Sequence, residues 1–174
     1  MNIRLATPAD LPQLVAISNS AGSAAHWSPQ QWLDIFHSQI PARLAWIAEQ
    51  TERRRLPRTR LQSSLAAEGV GPEALAPGVF AIGFLVAQCG NPEWELENIA
   101  VLPDFRQRGV GVALLSALLE EARIRHAERI LLEVRASNQS AIRLYTLAGF
   151  QLIARRRDYY RNPVDDALLF GRPL

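Results

Sequence analysis

Arg106-Gln107-Arg108-Gly109-Val110-Gly111 is the stretch on which the fold turns, because it stands directly between an apolar strand and a strongly apolar helix. Two glycines let the backbone approach a ligand closely, and the free N–H groups at the start of a helix favour a pyrophosphate. The spacing matches neither the dinucleotide fingerprint nor the Walker A loop, so NAD and ATP are unsupported. Taken alone, the motif reads equally well as a tight strand-to-helix turn.

Working outward, the strand before it is Trp94 to Leu102, and the helix after it runs from Gly109 through Leu114, Leu115, Leu118 and Leu119 to about His126. Arg129 to Val134 reads as a buried strand, Asn138 starts another helix, and Gly149 is placed to stop that helix in the left-handed conformation. Phe150 to Ala154 and Ala167 to Phe170 are the closing strands. Upstream, a short strand at Ile3 to Leu5 precedes Thr7-Pro8-Ala9-Asp10, which supplies an N-cap, a proline at the first helical position and an acid at the third. A helix with Leu11, Leu14 and Val15 on one face follows. Ser28-Pro29-Gln30-Gln31 repeats the device ahead of Trp32, Ile35, Phe36 and Ile40. Leu44 to Glu49 and Val79 to Ala87 are strands, and residues 50–78 between them are longer than a hairpin needs. This segment reads as an arginine-rich insertion with a short helix through Leu61 to Ala67. The order βααβ(insertion)ββαβαββ predicts an α/β fold, a mixed sheet with helices on both faces, in one domain over residues 1–174.

Composition sets the outer limits. A 174-residue chain with 48% hydrophobic and 21% charged residues is globular, which excludes disordered and collagen-like classes. The single cysteine, Cys89, makes no internal disulfide framework, and no Cys/His cluster has metal spacing, so a reduced, cytoplasmic protein without a metal is expected. Met1-Asn2-Ile3-Arg4 lacks the order of a signal peptide and no stretch approaches 18 apolar residues, so no membrane association is expected. All 19 basic residues are arginine, a composition that a GC-rich genome explains without nucleic acid. They cluster at Arg53 to Arg60 and at Arg155 to Arg161.

A second constellation, Leu132-Glu133-Val134-Arg135-Ala136-Ser137-Asn138, continues into Ala141-Ile142-Arg143-Leu144-Tyr145 and Gly149-Phe150. Jointly the two motifs resemble the GCN5-related N-acetyltransferases (GNAT) and, within them, the RimI family of ribosomal-protein-alanine N-alpha-acetyltransferases. The resemblance is dense from Trp94 to Phe170 and loose over the first forty residues, through His26-Trp27-Ser28. It implies the GNAT fold, with acetyl-coenzyme A in a wedge between two splayed parallel strands, here Trp94 to Leu102 and Arg129 to Val134. Position by position, it implies that Ile99, Ala100 and Val101 meet the acetyl and pantetheine portion by backbone hydrogen bonds. Arg106, Gln107, Arg108, Gly109, Val110, Gly111 and Val112 would hold the pyrophosphate and Asn138 the pantetheine arm. Glu133 would be the general base and Tyr145 the general acid, with Trp27, Tyr159 and Tyr160 closing a cleft over the acceptor. The implied activity is transfer of an acetyl group from acetyl-CoA to the N-terminal amine of a small-subunit ribosomal protein by a monomeric enzyme. The insertion at 50–78 departs from the pattern.

The chemistry makes independent sense of these residue types. An α-amino group of pKa ≈ 7.7–8.0 is largely protonated at neutral pH and must lose a proton before attacking a thioester, a task for a carboxylate. The leaving thiolate needs a proton, which a phenol held near sulfur can give. Attack is direct, so Cys89 has no role to fill. Glu95 and Glu97 are rivals for the base, and Glu133 has the alternative of pairing with Arg135 or Arg143. Tyr145 has the alternative of packing with Ile142 and Ala148, while His26, His37 and His126 read as ordinary helix or loop residues. Two other functions stay open: acetylation of a small amine in an acidic cleft without the tyrosine rim, and a non-catalytic acyl-CoA-binding module that docks on ribosome or RNA through its arginines.

The segment between the strands at Leu44 and Val79 yields a first prediction. Residues 51–60 carry five arginines against the single acid Glu52, and a charged loop beside the cleft would make salt-sensitive contacts with RNA phosphates around a ribosomal acceptor. The alternative is a tolerated surface insertion. Replacing residues 52–76 by a short Gly/Ser turn is expected to leave acetylation of a short free peptide nearly unchanged. With a ribosomal acceptor in its RNA context, docking requires a loss at low salt that shrinks as salt rises, and equal rates discard it.

Overall fold

The central strands β2 (Ala42–Thr51) and β3 (Val79–Cys89) are buried in unbroken runs, Ala45 to Glu49 and Ala81 to Ala87, which requires cover above and below the sheet. The cover is seen at two adjacent residues of β3, whose side chains point to opposite faces. Phe84 meets Trp32 of α2 (Pro29–His37) edge-on at 5.6 Å between ring centroids. A Cβ on Gly83 would lie 3.2 Å from Cγ1 of Val110, the first residue of α3 (Val110–Ile124), and 2.9 Å from the Ala100 carbonyl oxygen. Helices therefore lie on both faces, as the element order predicts. The computed structural model describes residues 1–22, 27–37, 42–51 and 78–174.

The remaining elements are β1 (Asn2–Leu5), α1 (Leu11–Ala21), β4 (Glu93–Val101), β5 (Arg129–Arg135), α4 (Gln139–Leu147), β6 (Gln151–Arg161) and β7 (Val164–Pro173). They form one sheet in the order β1-β2-β3-β4-β5-β7-β6, in which β4 and β5 are the parallel pair and the other neighbours are antiparallel. Leu114, Leu115 and Leu118 on α3 are fully buried, and each truncation to Ala would cost about 2–5 kcal/mol in transfer and cavity terms. No helix among the described residues is long and apolar enough to cross a membrane.

Parallel pairing of β4 with β5 covers only Glu93–Leu96 against Arg129–Leu132, and both strands run on beyond it, to Val101 and Arg135. The divergence has a local cause. Along β3 the register steps from Val86↔Asn98 to Ala87↔Leu96, so Glu97 is an extra residue in β4. Such a bulge bends its strand and increases its twist, here directly after the last residue paired with β5.

Most elements follow the expected boundaries, with instructive exceptions. Pro8–Asp10 is a 3-10 turn and the α-helix starts at Leu11. Asn138 Oδ1 caps α4 by accepting from the Ala141 N–H at 3.2 Å, and Gly149 (φ +85°) ends it, with the Phe150 N–H returning to the Tyr145 carbonyl at 3.0 Å. The closing hairpin is longer than predicted. β6 is an edge strand, exposed along nearly its whole length, so no apolar alternation marks its arginine-rich end. The short helix expected at Leu61 to Ala67, most of the insertion, Ile40 and His26 lie outside the described residues. The strands that the insertion joins pair to their ends, with Thr51 opposite Val79.

A polar clamp fixes the N-terminal strand. Arg4 reaches Asp10 through two bonds of 2.8 Å and Glu49 Oε1 through a third of 2.8 Å, and both acids are buried. Burial alone would raise the Asp10 carboxyl, but the Arg4 guanidinium and the Thr7 N–H and hydroxyl, which donate to Asp10 Oδ2, hold it below its ordinary value. The resulting stability is complete above pH ~4 and is lost as pH falls through the lowered folded value. Arg4→Met strands two buried carboxylates. It is expected to cost about 2–3 kcal/mol, below the range for a fully buried pair because Arg4 reaches solvent, and urea melts should show the gap to the wild type at pH 7 narrowing as pH falls below ~4.

Candidate functional site

Two recesses meet where β4 leaves β5. The larger, of about 1030 Å³, runs from the end of the parallel ladder to the start of α3. Its walls include Ile99, Ala100 and Val101 of β4, Arg106 and Gln107 of the following turn, Gly109 to Val112, Glu133 of β5, and Asn138 and Tyr145 at α4. The smaller, of about 320 Å³, is walled by Trp27, Asp34, Arg43, Glu95, Tyr159 and others. Leu96, Glu97, Glu133 and Tyr160 line both.

The turn into α3 divides its labour between the two glycines. Gly109 has φ +82° and open space around a would-be Cβ, so its requirement is conformational. At Gly111 a Cβ would stand 3.0 Å from Leu144 Cδ2, so smallness there lets α3 close against α4. Gln107 is also left-handed, at φ 58°. Val110, Gly111 and Val112, whose N–H groups have no partner within the helix, line the larger recess, a position that favours an anion. Arg106 lines the recess but donates to the carbonyls of Val101, at 3.1 Å, and Ala21, which ties the turn to α1. Arg108 is not among the lining residues; its guanidinium lies over the Phe105 ring at 5.5 Å.

Three carboxylates crowd the junction, and two carry an arginine each. Arg43 grips Glu97 with bonds of 2.7 and 2.8 Å. Arg156 pairs with Glu133 at 2.7 Å. The partner of Glu133 is thus neither Arg135 nor Arg143, because β6 lies beyond β7 and its arginine reaches back across it. Arg135 is committed elsewhere: it lies over the Tyr160 ring at 4.0 Å and donates to the Pro163 and Asn162 carbonyls. Glu95 is raised above the ordinary carboxylate range by desolvation and by the charges of Glu97 and Glu133, with Arg43 opposing.

Tyr145 is buried, 6.0 Å from Phe150 between ring centroids, and burial pushes its phenol well above the ordinary value, Tyr160 adding to the shift. Tyr159 and Tyr160 stack edge-on at 5.2 Å. A bulge aims them: the β6–β7 register shifts between Arg156 and Tyr160, Asp158 turns left-handed at φ 50°, and its N–H donates to Asp166 Oδ1 at 2.9 Å. Trp27 packs on Trp32 at 5.1 Å. His37 Nδ1 lies 2.8 Å from the Leu33 carbonyl, and His126 sits in the turn after α3. Burial pushes the Cys89 thiol up to about 11. Arg156, the partner of Glu133, is the residue at the junction that sequence reasoning missed. It stands in the arginine cluster Arg155 to Arg161, and only the strand order reveals its reach.

Among the described residues no group of His, Cys, Asp or Glu is arranged to hold a metal ion. The acids and aromatics of the smaller recess mix features expected of a small-amine site with those of a peptide site.

Comparisons with known proteins agree with this geometry. The family model described as Acetyltransferase (GNAT) family matches residues 31–150. The [ribosomal protein bS18]-alanine N-acetyltransferase of Salmonella typhimurium is 42% identical over 93 residues, which are 52% of this chain. The chain spans 63% of the length of that curated relative. The crystal structure of the ribosomal-protein-S18-alanine N-acetyltransferase from Escherichia coli superposes with a TM-score of 0.68 at 26% identity, covering 99% of this chain and 92% of that one. Arabidopsis thaliana NAA60 in complex with acetyl-CoA shares the fold at a TM-score of 0.73 and 19% identity, over 99% of this chain and 98% of that one. The splayed parallel strands, the glycine turn at the helix start and the family match over most of the chain lead to one conclusion: the chain belongs to the GNAT acetyltransferase family.

Proposed function

We propose that this chain is an acetyl-CoA-dependent N-alpha-acetyltransferase acting on the amino terminus of a small-subunit ribosomal protein. The observation that carries the reading is the meeting of two recesses at Glu133, one suited to a thioester cofactor and one rimmed by aromatic residues. The substrate follows from the relative in Salmonella typhimurium, whose name specifies the alanine of ribosomal protein bS18. The residues present fit acetyl-CoA. The open turn at Gly109 and the N–H groups of α3 suit its pyrophosphate, and beyond Leu96 the backbone of β4 carries no ladder to β5. Ile99 to Val101 would hold the acetyl and pantetheine end, with Asn138 beside the arm.

When bound, acetyl-CoA supplies an activated acyl group as a thioester. Glu133 takes a proton from the α-ammonium, freeing the lone pair that attacks the carbonyl carbon. Tyr145, kept protonated by burial, would give its O–H proton to the leaving sulfur, and the second proton that nitrogen sheds as the amide forms would restore the phenol, so the net release is the one proton that Glu133 takes and passes to solvent. Trp27, Tyr159 and Tyr160 bound the acceptor side.

Thiol release measured over a panel of free peptides, a polyamine and an aminoglycoside tests the reading. Turnover with a peptide bearing the amino-terminal residues of ribosomal protein bS18 supports it; turnover with small amines alone transfers the assignment to that class, and binding without turnover to a non-catalytic module. Tyr145→Phe is expected to lower kcat by roughly 10² with cofactor affinity retained, and Glu133→Gln to lose most at low pH, where more acceptor is protonated. Full activity of Glu133→Gln at every pH moves the base to Glu95 or Glu97. Gly109→Val forces a β-branched residue to φ +82° and is expected to weaken acetyl-CoA binding at least tenfold, measured calorimetrically on folded protein.

A further inference from the structure

The Arg156–Glu133 ion pair joins the edge strand of the sheet to the junction of the two recesses. Arg156 lies on β6 in register with Ala167 of β7, and Glu133 on β5 is in register with Leu169, so the guanidinium spans the intervening strand to reach 2.7 Å from Glu133 Oε1. Its side chain remains half exposed, at 54%. The guanidinium also lies 5.4 Å from the Tyr159 ring centroid, so an aromatic wall steadies the reach.

We propose that Arg156 is a positioning residue for the transfer reaction: it holds one oxygen of Glu133 and presents the other to the acceptor amine. The inference rests on Glu133 being the base. Charge makes the case for it. Glu95 and Glu97 of β4 share the smaller recess with Glu133, and Asp34 of α2 adds a fourth acid. Arg43 of β2 is held by two bonds to Glu97. On its own strand Arg135 is stacked on Tyr160 of β6 and bonded to the carbonyls of the hairpin turn. From α4 come Tyr145, buried and neutral, and Arg143, which lines only the larger recess. Arg156 is thus the cation paired with Glu133 among the described residues, and without it the carboxylate would stand against like charges that favour its protonation.

The test is Arg156→Gln with Arg156→Lys, each assayed from pH 5 to pH 9 at saturating acetyl-CoA. Removing the cation is expected to move the acidic limb of kcat upward by about one pH unit, a roughly tenfold loss at pH 6 that narrows as pH rises. Arg156→Lys restores most of the limb, because charge is retained while the planar fork is lost. Acetyl-CoA affinity should be unchanged in both, which shows that fold and cofactor recess are intact. In a Glu133→Gln background, Arg156→Gln is expected to add no further loss. An acidic limb that matches the native one, or an equal loss with and without Glu133, overturns the proposal. If Glu133→Gln alone keeps native kcat, the base assignment has failed instead, and that single variant separates the two failures.

Discussion

Four residue pairs of parallel ladder, Glu93–Leu96 against Arg129–Leu132, are the one strand pairing among the described residues that joins the β1–β4 part of the sheet to the β5–β7–β6 part. If the ladder were longer, the wedge would close and the backbone of β4 would be spent on β5. If it were absent, the sheet would divide in two. The extra residue at Glu97 sets the stopping point, because a bulge next to the last paired residue twists β4 away from its neighbour. α3 then begins beside the opening, its Val110 seated where Gly83 leaves room on β3. A large recess with an amide-rich end follows from these two local choices.

Electrostatics at the junction depends on the same geometry. β4 and β5 are neighbours in the sheet, and their diverging ends bring the carboxylates of both strands into one recess. Like charges at close range push one another toward the neutral form, and Glu95 shows that effect. Glu97 and Glu133 are instead each given an arginine, from β2 and β6 respectively. The arginines come from opposite sides of the junction, so the charge balance there is assembled from strands far apart in sequence.

Sequence legibility followed the same division. Elements with a local signature could be read: the capped start of α4 at Asn138, its left-handed stop at Gly149, the apolar stripe of α3 and the glycine turn before it. Each is settled within a few residues by hydrogen bonding or φ. The larger recess was legible for the same reason, since one turn and one helix start build most of its anion-binding end. Features made by strand order were not. Arg156 is unremarkable in Arg155-Arg156-Arg157 until β7 is seen to lie between β5 and β6, and the full length of β6 had no alternation to announce it because neither of its faces is buried. The clamp of Arg4 on Asp10 and Glu49 was hidden likewise, its partners being 6 and 45 residues away.

Two of the irregularities in the strands converge on the site, while those at Ala48/Glu49 and Leu152/Ala154 lie away from it. Regular strands would distribute side chains alternately over two faces with no preference for any point along their length. The bulge in β4 falls at Glu97 and the second of two register shifts in β6 falls just before Tyr160, and both residues line the two recesses together. Each bulge is tied down by polar partners: Arg43 holds Glu97, while Asp166 accepts from the Asp158 N–H and from Arg155. A bulge that merely relieved a misfit would need no such anchoring, since water satisfies exposed edge groups as well. Held in this way, both bulges fix where side chains enter the junction, which is what a reaction between a bound thioester and a separately bound amine would require.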